Sequence, residues 1–119
     1  MDISQIKGLE LLTNLEGLIL SQNQIIKITG LSTLTRLQSL NLANNQISRV
    51  EGLDSLAQLR SLNMSNNSIT KIEGFANIGT LQILDLSGNP VEEWLKEQLG
   101  PKANDLGFLA TWVRKFCQK

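Results

Sequence analysis

Few residues of this 119-residue chain could perform chemistry on a substrate. Cys117 is the single cysteine, and no histidine is present to activate a thiol or hydroxyl nucleophile. Glu92 and Glu93 are adjacent, so on a helix their carboxylates diverge by about 100° and form a solvated pair. No cysteine or histidine cluster suits zinc, and no acidic loop has the spacing of a calcium site. We therefore expect a protein that is not an enzyme and that uses no cofactor and no metal.

Asparagines offer hydrogen-bonding chemistry instead. The stretch LQSLNLANNQISRVEGL, residues 37–53, places Asn41, Asn44 and Asn45 among leucines. An asparagine side chain both donates and accepts, so it can serve a ligand or the chain's own backbone. Asn45 recurs in the column Asn23, Asn45, Asn67 and Asn89. We predict that this column satisfies backbone groups at a turn, whereas Asn44 lies on a rim. Asn41 and its equivalent Asn63 are expected to lie on the open face, without a structural role and available to a partner.

A period of 22 residues positions these side chains. In the three complete repeats, positions 1, 4, 6, 11, 14, 17 and 20 are always Leu, Ile, Val, Met or Phe. The alternation LxL predicts a short strand with its leucines on one face, and stacked repeats would pair these strands in parallel about 4.8 Å apart. No coil can bury its own leucines alone, so each depends on its neighbours. The aligned repeats begin at Leu15, Leu37, Leu59 and Leu81.

The pattern LxxLxLxxNxI resembles that of leucine-rich repeat proteins over roughly residues 2–91. Its continuation, I-x-[KR]-[IV]-x-G-[LF], resembles that of the short 22-residue subclass. This subclass includes phosphatase-regulatory leucine-rich proteins, the leucine-rich dynein light chain and the spliceosomal A-prime protein. Bacterial internalins share this length but commonly carry proline where this chain has Gly30, Gly52 and Gly74. The resemblance implies an α/β leucine-rich repeat solenoid with a curved parallel sheet of about four short strands, and loops or short helical turns on the convex side.

The repeat pattern divides the chain into three segments. Residues 1–14 form a partial N-terminal repeat or cap, residues 15–90 the leucine-rich repeats, and residues 91–119 a C-terminal helical cap. The first segment lacks a strand and places Leu11 at a column that is otherwise polar. This half coil is a minimal cap, the cut edge of a longer array, or a surface for another chain, which allows self-association. Its apolar columns are Ile3, Ile6, Leu9 and Leu12.

The predicted cap begins with a short helix. Asn89 is expected to cap its N-terminus, Pro90 to occupy its first position and Gly100 to end it. Val91 and Trp94 continue the apolar columns of the repeat. The last coil would then be closed by helical rather than strand structure.

A second helix is predicted from about Asp105 to about Cys117, as a lid over the last coil. The alternative is that Phe108, Trp112 and Lys115 form a C-terminal ridge that remains free for a partner. Aromatic side chains are common anchors of protein interfaces, so both interpretations stay open.

The concave face is where the resemblance implies binding. It consists of the third, fifth and seventh residues of each repeat, with a rim on either side. Most of these side chains are small and polar, and aromatic anchors are missing. The residues that we expect to contact a partner are Ile19, Ser39, Asn41, Arg60, Ser61, Asn63, Ile83 and Asp85.

A basic column recurs at the thirteenth position, as Lys27, Arg49 and Lys71, with Glu51 and Glu73 two residues after its later members. Attraction between neighbouring coils can offset the repulsion within each row, and exposed pairs contribute about 0–1 kcal/mol. The column is therefore a solvated stripe or, alternatively, a contact for an acidic segment of a partner.

Charge and composition narrow the partner class. Eleven basic and eleven acidic residues balance, so no net attraction to nucleic acid or to a membrane surface is expected. No apolar stretch is long enough for a signal peptide or membrane span, and the lone cysteine suits a reducing compartment, so we expect a cytoplasmic or nuclear protein. The expected function is a rigid, non-catalytic scaffold for another protein. The alternatives are a structural subunit of a ribonucleoprotein and the repeat segment of a larger multidomain protein.

Overall fold

The computed structural model describes residues 3–117. Four strands form one parallel sheet in the order β1-β2-β3-β4. The register pairs equivalent residues of successive repeats, so Leu18 opposes Leu40 and Leu40 opposes Leu62. The predicted solenoid and its number of strands are thereby confirmed. The strands are β1 (Gly17–Ile19), β2 (Ser39–Asn41), β3 (Ser61–Asn63) and β4 (Ile83–Asp85).

Two helices follow the sheet, α1 (Val91–Leu99) and α2 (Leu106–Cys117), joined by a 3₁₀ turn over Gly100–Asn104. The Asp105 carboxylate accepts a hydrogen bond from the Phe108 backbone N–H at 3.0 Å, which caps α2. The predicted helical cap and the end of its first helix before Gly100 are confirmed.

The apolar columns fill one continuous core between the sheet and the loops of the coils. Every column residue of the second repeat is buried, because a coil lies on each side of it. In the first repeat Leu15, Leu18 and Leu20 are only half-buried. The described part of the chain places no strand beyond β1, so these leucines lack one neighbour.

Two details of the predicted cap are wrong. Asn89 does not cap α1, since its side chain bonds to the coils instead, and the Glu92 carboxylate accepts from the Gly88 backbone N–H at 3.1 Å. Trp94 leaves the core and is 37% exposed, whereas Leu95 is 2% exposed. The helical period of 3.6 residues, rather than the repeat, sets which side chain faces inward from Val91 onwards.

The glycine column fixes the distance between successive coils. Gly30, Gly52 and Gly74 all have positive φ, between 71° and 83°. A Cβ at Gly52 would lie 2.6 Å from the Ile28 carbonyl oxygen, and a Cβ at Gly74 would lie 2.1 Å from that of Val50. Only glycine combines this conformation with so close an approach of two backbones.

Candidate partner-binding surfaces

The asparagine column forms a hydrogen-bond ladder along the solenoid. Asn45 Oδ1 accepts from the Ile25 N–H at 3.0 Å. Its Nδ2 donates to the carbonyls of Leu20 and Leu42 at 3.0 Å and of Ala43 at 3.3 Å. One amide thus joins two coils and closes its own turn, which confirms the predicted structural role of Asn45.

Asn44, predicted to lie on a rim, is exposed and has a conformational role that sequence reasoning missed. Its φ is 59°, and the equivalent residues Gln22 and Asn66 have φ values of 59° and 57°. Asparagine tolerates this left-handed region better than most residues. The sequence carried one signal of it, since the same column ends in Gly88.

The structure places the predicted concave-face residues in adjacent rows on the sheet. The fifth position gives the row Ile19, Asn41, Asn63 and Asp85, and the third position gives Ser39, Ser61 and Ile83. Arg60 is exposed on the rim immediately before β3. The strand leucines between the two rows, such as Leu40, point into the core.

Asn41 and Asn63 were expected to have no structural duty, and this is wrong. Asn41 Oδ1 accepts from the Ala43 N–H at 3.0 Å, and Asn63 Oδ1 accepts from the Ser65 N–H at 3.0 Å. The side chain closes a local turn that the sequence pattern alone does not show. Substitution of either residue by alanine would therefore change the stability of the coil as well as its surface.

Polar atoms nevertheless remain available on the concave face. The Nδ2 groups of Asn41 and Asn63 donate no hydrogen bond within residues 3–117. Ile19 is 75% exposed and Ile83 is 47% exposed, at opposite ends of the sheet. The face therefore offers a central pair of amide donors between two apolar side chains.

A cleft of about 270 Å³ extends the concave face between β4 and the helical cap. Asp85, Ser87 and Glu92 line its polar side, and Leu95 and Leu106 contribute to its apolar side. Asp85 Oδ1 already accepts from the Ser87 N–H at 3.0 Å. With Asp85 and Glu92, the cleft makes the C-terminal end of the face more acidic than its centre.

The predicted C-terminal ridge is divided between two environments. The Phe108 ring lies 4.9 Å from Lys102 Nζ, beside the 3₁₀ turn. Trp112 instead stacks on Phe116 with ring centroids 5.0 Å apart and an interplanar angle of 22°. Lys115 is exposed on α2. The spacing of Phe108 and Trp112 on one helix does not reveal these separate contacts.

Ion pairs between coils link the basic column to the glutamates. Lys27 lies 3.9 Å from Glu51, and Arg49 lies 3.6 Å from Glu51 and 3.3 Å from Glu73. The Lys27–Glu51 and Arg49–Glu73 pairs show the predicted attraction between neighbouring coils, whereas Arg49 and Glu51 belong to the same coil. The Lys27 and Arg49 side chains are largely exposed, so the pairs contribute about 0–1 kcal/mol each.

Among residues 3–117, no cluster of acidic, cysteine or histidine side chains is arranged to hold a metal ion. Over the same range, neither helix has the length and apolar character needed to cross a membrane.

Comparisons with known proteins identify the repeats. The family model for leucine-rich repeats in two copies matches residues 13–55 and 57–97. Internalin InlF of Listeria monocytogenes is similar in structure, with a TM-score of 0.70 and 33% identity over 80% of this chain and 30% of that one. Internalin C2 of the same organism has a TM-score of 0.65 and 34% identity over 75% of this chain and 39% of that one.

A leucine-rich repeat protein of Leptospira interrogans has a TM-score of 0.67 and 26% identity, over 82% of this chain and 27% of its own. This chain therefore spans less than half the length of each of these three structures. The search of curated proteins finds no match. The two internalins share the fold of this chain over the part that they match.

Proposed function

Because the chain belongs to the leucine-rich repeat family, we propose that it is a non-catalytic module that binds another protein through its concave face. Proteins of this family generally mediate protein–protein interactions and are typically scaffolds without enzymatic activity. The observation that carries the proposal is the arrangement on the sheet itself. Exposed Ile19 and Ile83 flank the available amide groups of Asn41 and Asn63.

Rigidity supports this proposal. Every buried side-chain nitrogen or oxygen within residues 3–117 has a hydrogen-bond partner. The asparagine ladder and the glycine column hold each strand at a fixed distance from the next. A partner would meet a surface that is already ordered, so little conformational entropy is lost on the scaffold side.

The chemistry of the face indicates the chemistry of the partner. The amide Nδ2 groups of Asn41 and Asn63 would donate to carbonyl or carboxylate oxygens. Ile19 and Ile83 would be buried against apolar side chains, and burial of an exposed isoleucine contributes about 1.5–3 kcal/mol. Arg60 on the rim is the side chain best suited to a charged hydrogen bond with the partner.

Serine substitutions test this surface. We expect proteins captured from lysate by the wild-type chain to be lost with Ile19→Ser or Ile83→Ser. The control is Ile26→Ser, because Ile26 is 58% exposed but lies outside the strands. A captured protein should then be purified and its dissociation constant measured, with an expected loss of about tenfold for each concave substitution.

Two results would contradict the proposal. If Ile19→Ser and Ile83→Ser bound the captured protein as well as Ile26→Ser does, the contact would lie outside the concave face. Loss of all captured proteins after nuclease treatment would favour the ribonucleoprotein alternative. Circular dichroism should show that the three variants are equally folded, since substitutions at exposed positions usually change stability by less than about 0.5 kcal/mol.

A second candidate function, self-association, is favoured by the N-terminal face. Leu11 is 92% exposed and Leu12 is 48% exposed. On β2 the carbonyl of Asn41 accepts from the Leu20 N–H of the first coil. The equivalent carbonyl of Ile19 faces the side of β1 on which residues 3–117 provide no strand. Such an unpaired edge can receive a strand from another chain.

The geometry of the opposite end limits how a second copy could bind. The edge of β4 is covered by α2, whose Gly107 lies beside the Gln82 carbonyl. Head-to-tail stacking is therefore blocked, and a dimer would pair two β1 edges about a twofold axis. Sedimentation velocity should detect a dimer that Leu11→Ser combined with Leu12→Ser abolishes. A monomer at all concentrations would contradict this second proposal.

A further inference from the structure

Three aromatic side chains meet on the outside of the helical cap. Trp94 of α1 lies 6.1 Å from Trp112 and 5.7 Å from Phe116, measured between ring centroids. Trp94 is 37% exposed, and Trp112 and Phe116 are half-buried. These rings are therefore not enclosed in the core. Aromatic side chains contribute most to stability and to binding when they are buried, so a partner that covered these rings would gain binding energy.

A groove of about 340 Å³ runs beside the aromatic cluster. Thr70, Lys71 and Ile72 of the third repeat line one wall, and Trp94 and Phe116 line the other. None of its lining residues belongs to a strand, so the groove lies apart from the concave rows of the sheet. It is open to solvent, and Ile72, Val91, Trp94 and Phe116 give it an apolar lining.

Lys71 gives this groove an unbalanced positive charge. The preceding members of the basic column reach glutamates of the following coil, as Lys27 reaches Glu51 at 3.9 Å and Arg49 reaches Glu73 at 3.3 Å. The position that would continue this pairing for Lys71 is Leu95, which is 2% exposed in the core. Within residues 3–117, Lys71 forms no ion pair.

The acidic residue of α1 nearest in sequence to Trp94 does not replace that partner. Glu93 is directed toward Lys96, with their charged atoms 3.9 Å apart. Where the repeat gives way to α1, the glutamate that would pair with Lys71 is therefore missing. Aromatic rings lie beside Lys71 instead.

We propose that this groove is a second docking site, which binds an extended segment of a partner protein carrying an aspartate or glutamate next to a large apolar side chain. The carboxylate would take the place of the missing glutamate at Lys71. The apolar side chain would lie against Trp94, Phe116 and Ile72. The charge of Lys71 selects an acidic segment, because a neutral or basic segment would leave the ammonium group without a partner.

Peptide selection tests this site directly, because random sequences sample every combination of charge and apolar side chain. A library of random dodecamers displayed on phage is selected on the wild-type chain and depleted on the Lys71→Glu variant. We expect the recovered peptides to be enriched in an acidic residue beside Leu, Phe or Trp. No enrichment, or enrichment of basic peptides, would overturn the proposal.

A synthetic peptide from that selection then gives quantitative controls. Its dissociation constant, measured by fluorescence anisotropy, should rise about tenfold or more with Lys71→Glu and with Trp94→Ala. Lys27→Glu is the matched control, because it changes the same column at a coil without the aromatic cluster. Equal effects of Lys71→Glu and Lys27→Glu would overturn the assignment to this groove.

Charge reversal provides an outcome that damage to the fold cannot produce. A version of the peptide with lysine in place of its acidic residue should bind Lys71→Glu better than it binds the wild-type chain. Ile19→Ser should leave the binding of the original peptide unchanged, so failure of the concave-face proposal and failure of this one are distinguishable. A dimer that is detected by sedimentation velocity and lost with Trp94→Ala would instead assign the groove to a second copy of the chain and overturn the proposal.

Discussion

At the C-terminal end of the solenoid α1 and α2 cover the last coil. At the N-terminal end residues 3–117 place no strand on the outer edge of β1, and Leu11 is 92% exposed. Both ends adjoin coils that carry the same apolar columns. The C-terminal end departs from them by changing to a helical period, so Leu95 and Leu109 point inward. The comparison shows that one repeat pattern can leave a coil protected or exposed, depending on what lies beside it.

The largest difference between the two ends should appear on truncation of a leucine. Leu109 of α2 is 1% exposed, and Leu109→Ala should lower the free energy of unfolding by about 2–5 kcal/mol. Leu11→Ala, at the open end, should change it by less than about 0.5 kcal/mol. Urea denaturation measures both values, and similar effects would show that the open end is covered in solution.

A smaller difference is expected between two glycines with the same backbone conformation. Gly74 and Gly8 have φ values of 83° and 84°, but a Cβ at Gly8 would meet nothing within 4 Å. Gly8→Ala should destabilise by about 1–2 kcal/mol through conformation alone. Gly74→Ala should destabilise by about 1–3 kcal/mol more than Gly8→Ala, because the new Cβ would overlap the Val50 carbonyl. Equal shifts of the thermal midpoint would contradict the coil-spacing role of this column.

The smallest difference is expected between Asn23, at one end of the asparagine ladder, and Asn45 in its interior. Asn45→Ala should lower the free energy of unfolding by about 1–3 kcal/mol, since it leaves several buried backbone groups without a partner. Asn23 bonds to Ile3 and to its own turn but reaches no carbonyl of a preceding coil within residues 3–117. Asn23→Ala should therefore cost about 0.5–1.5 kcal/mol less than Asn45→Ala. Guanidinium denaturation of the two variants checks this, and a larger loss for Asn23→Ala would refute it.

Much of the fold could be predicted because each coil repeats the same physical requirement. The period identified the strands, the core columns and the structural role of Asn45, since a buried amide at a recurrent turn has few other uses. The same period predicted that the strands pair in parallel, and the resemblance to leucine-rich repeats added that the sheet is curved. The agreement extends to every complete repeat, where the predicted columns are buried or half-buried.

The details that failed depend on contacts between non-equivalent segments. The repeat pattern predicts a free Asn41 side chain, but its bond to the Ala43 N–H arises from the turn geometry and not from the repeat. Helical spacing groups Trp112 with Phe108, but α1 brings Trp94 to only one of them. The path of the 3₁₀ turn determines where α2 lies against α1, and the sequence pattern of neither helix records that path.

The register of the sheet has a consequence for the length of the array. Each residue of β2 opposes its equivalent in β3. A duplicate of residues 37–58, inserted between the second and third repeats, would therefore contact equivalent leucines, glycines and asparagines on both sides. Each added coil would widen the concave face by about 4.8 Å and leave both ends unchanged. Duplication or deletion of whole coils can thus change the extent of the binding surface without a change in the residues that form the hydrophobic core.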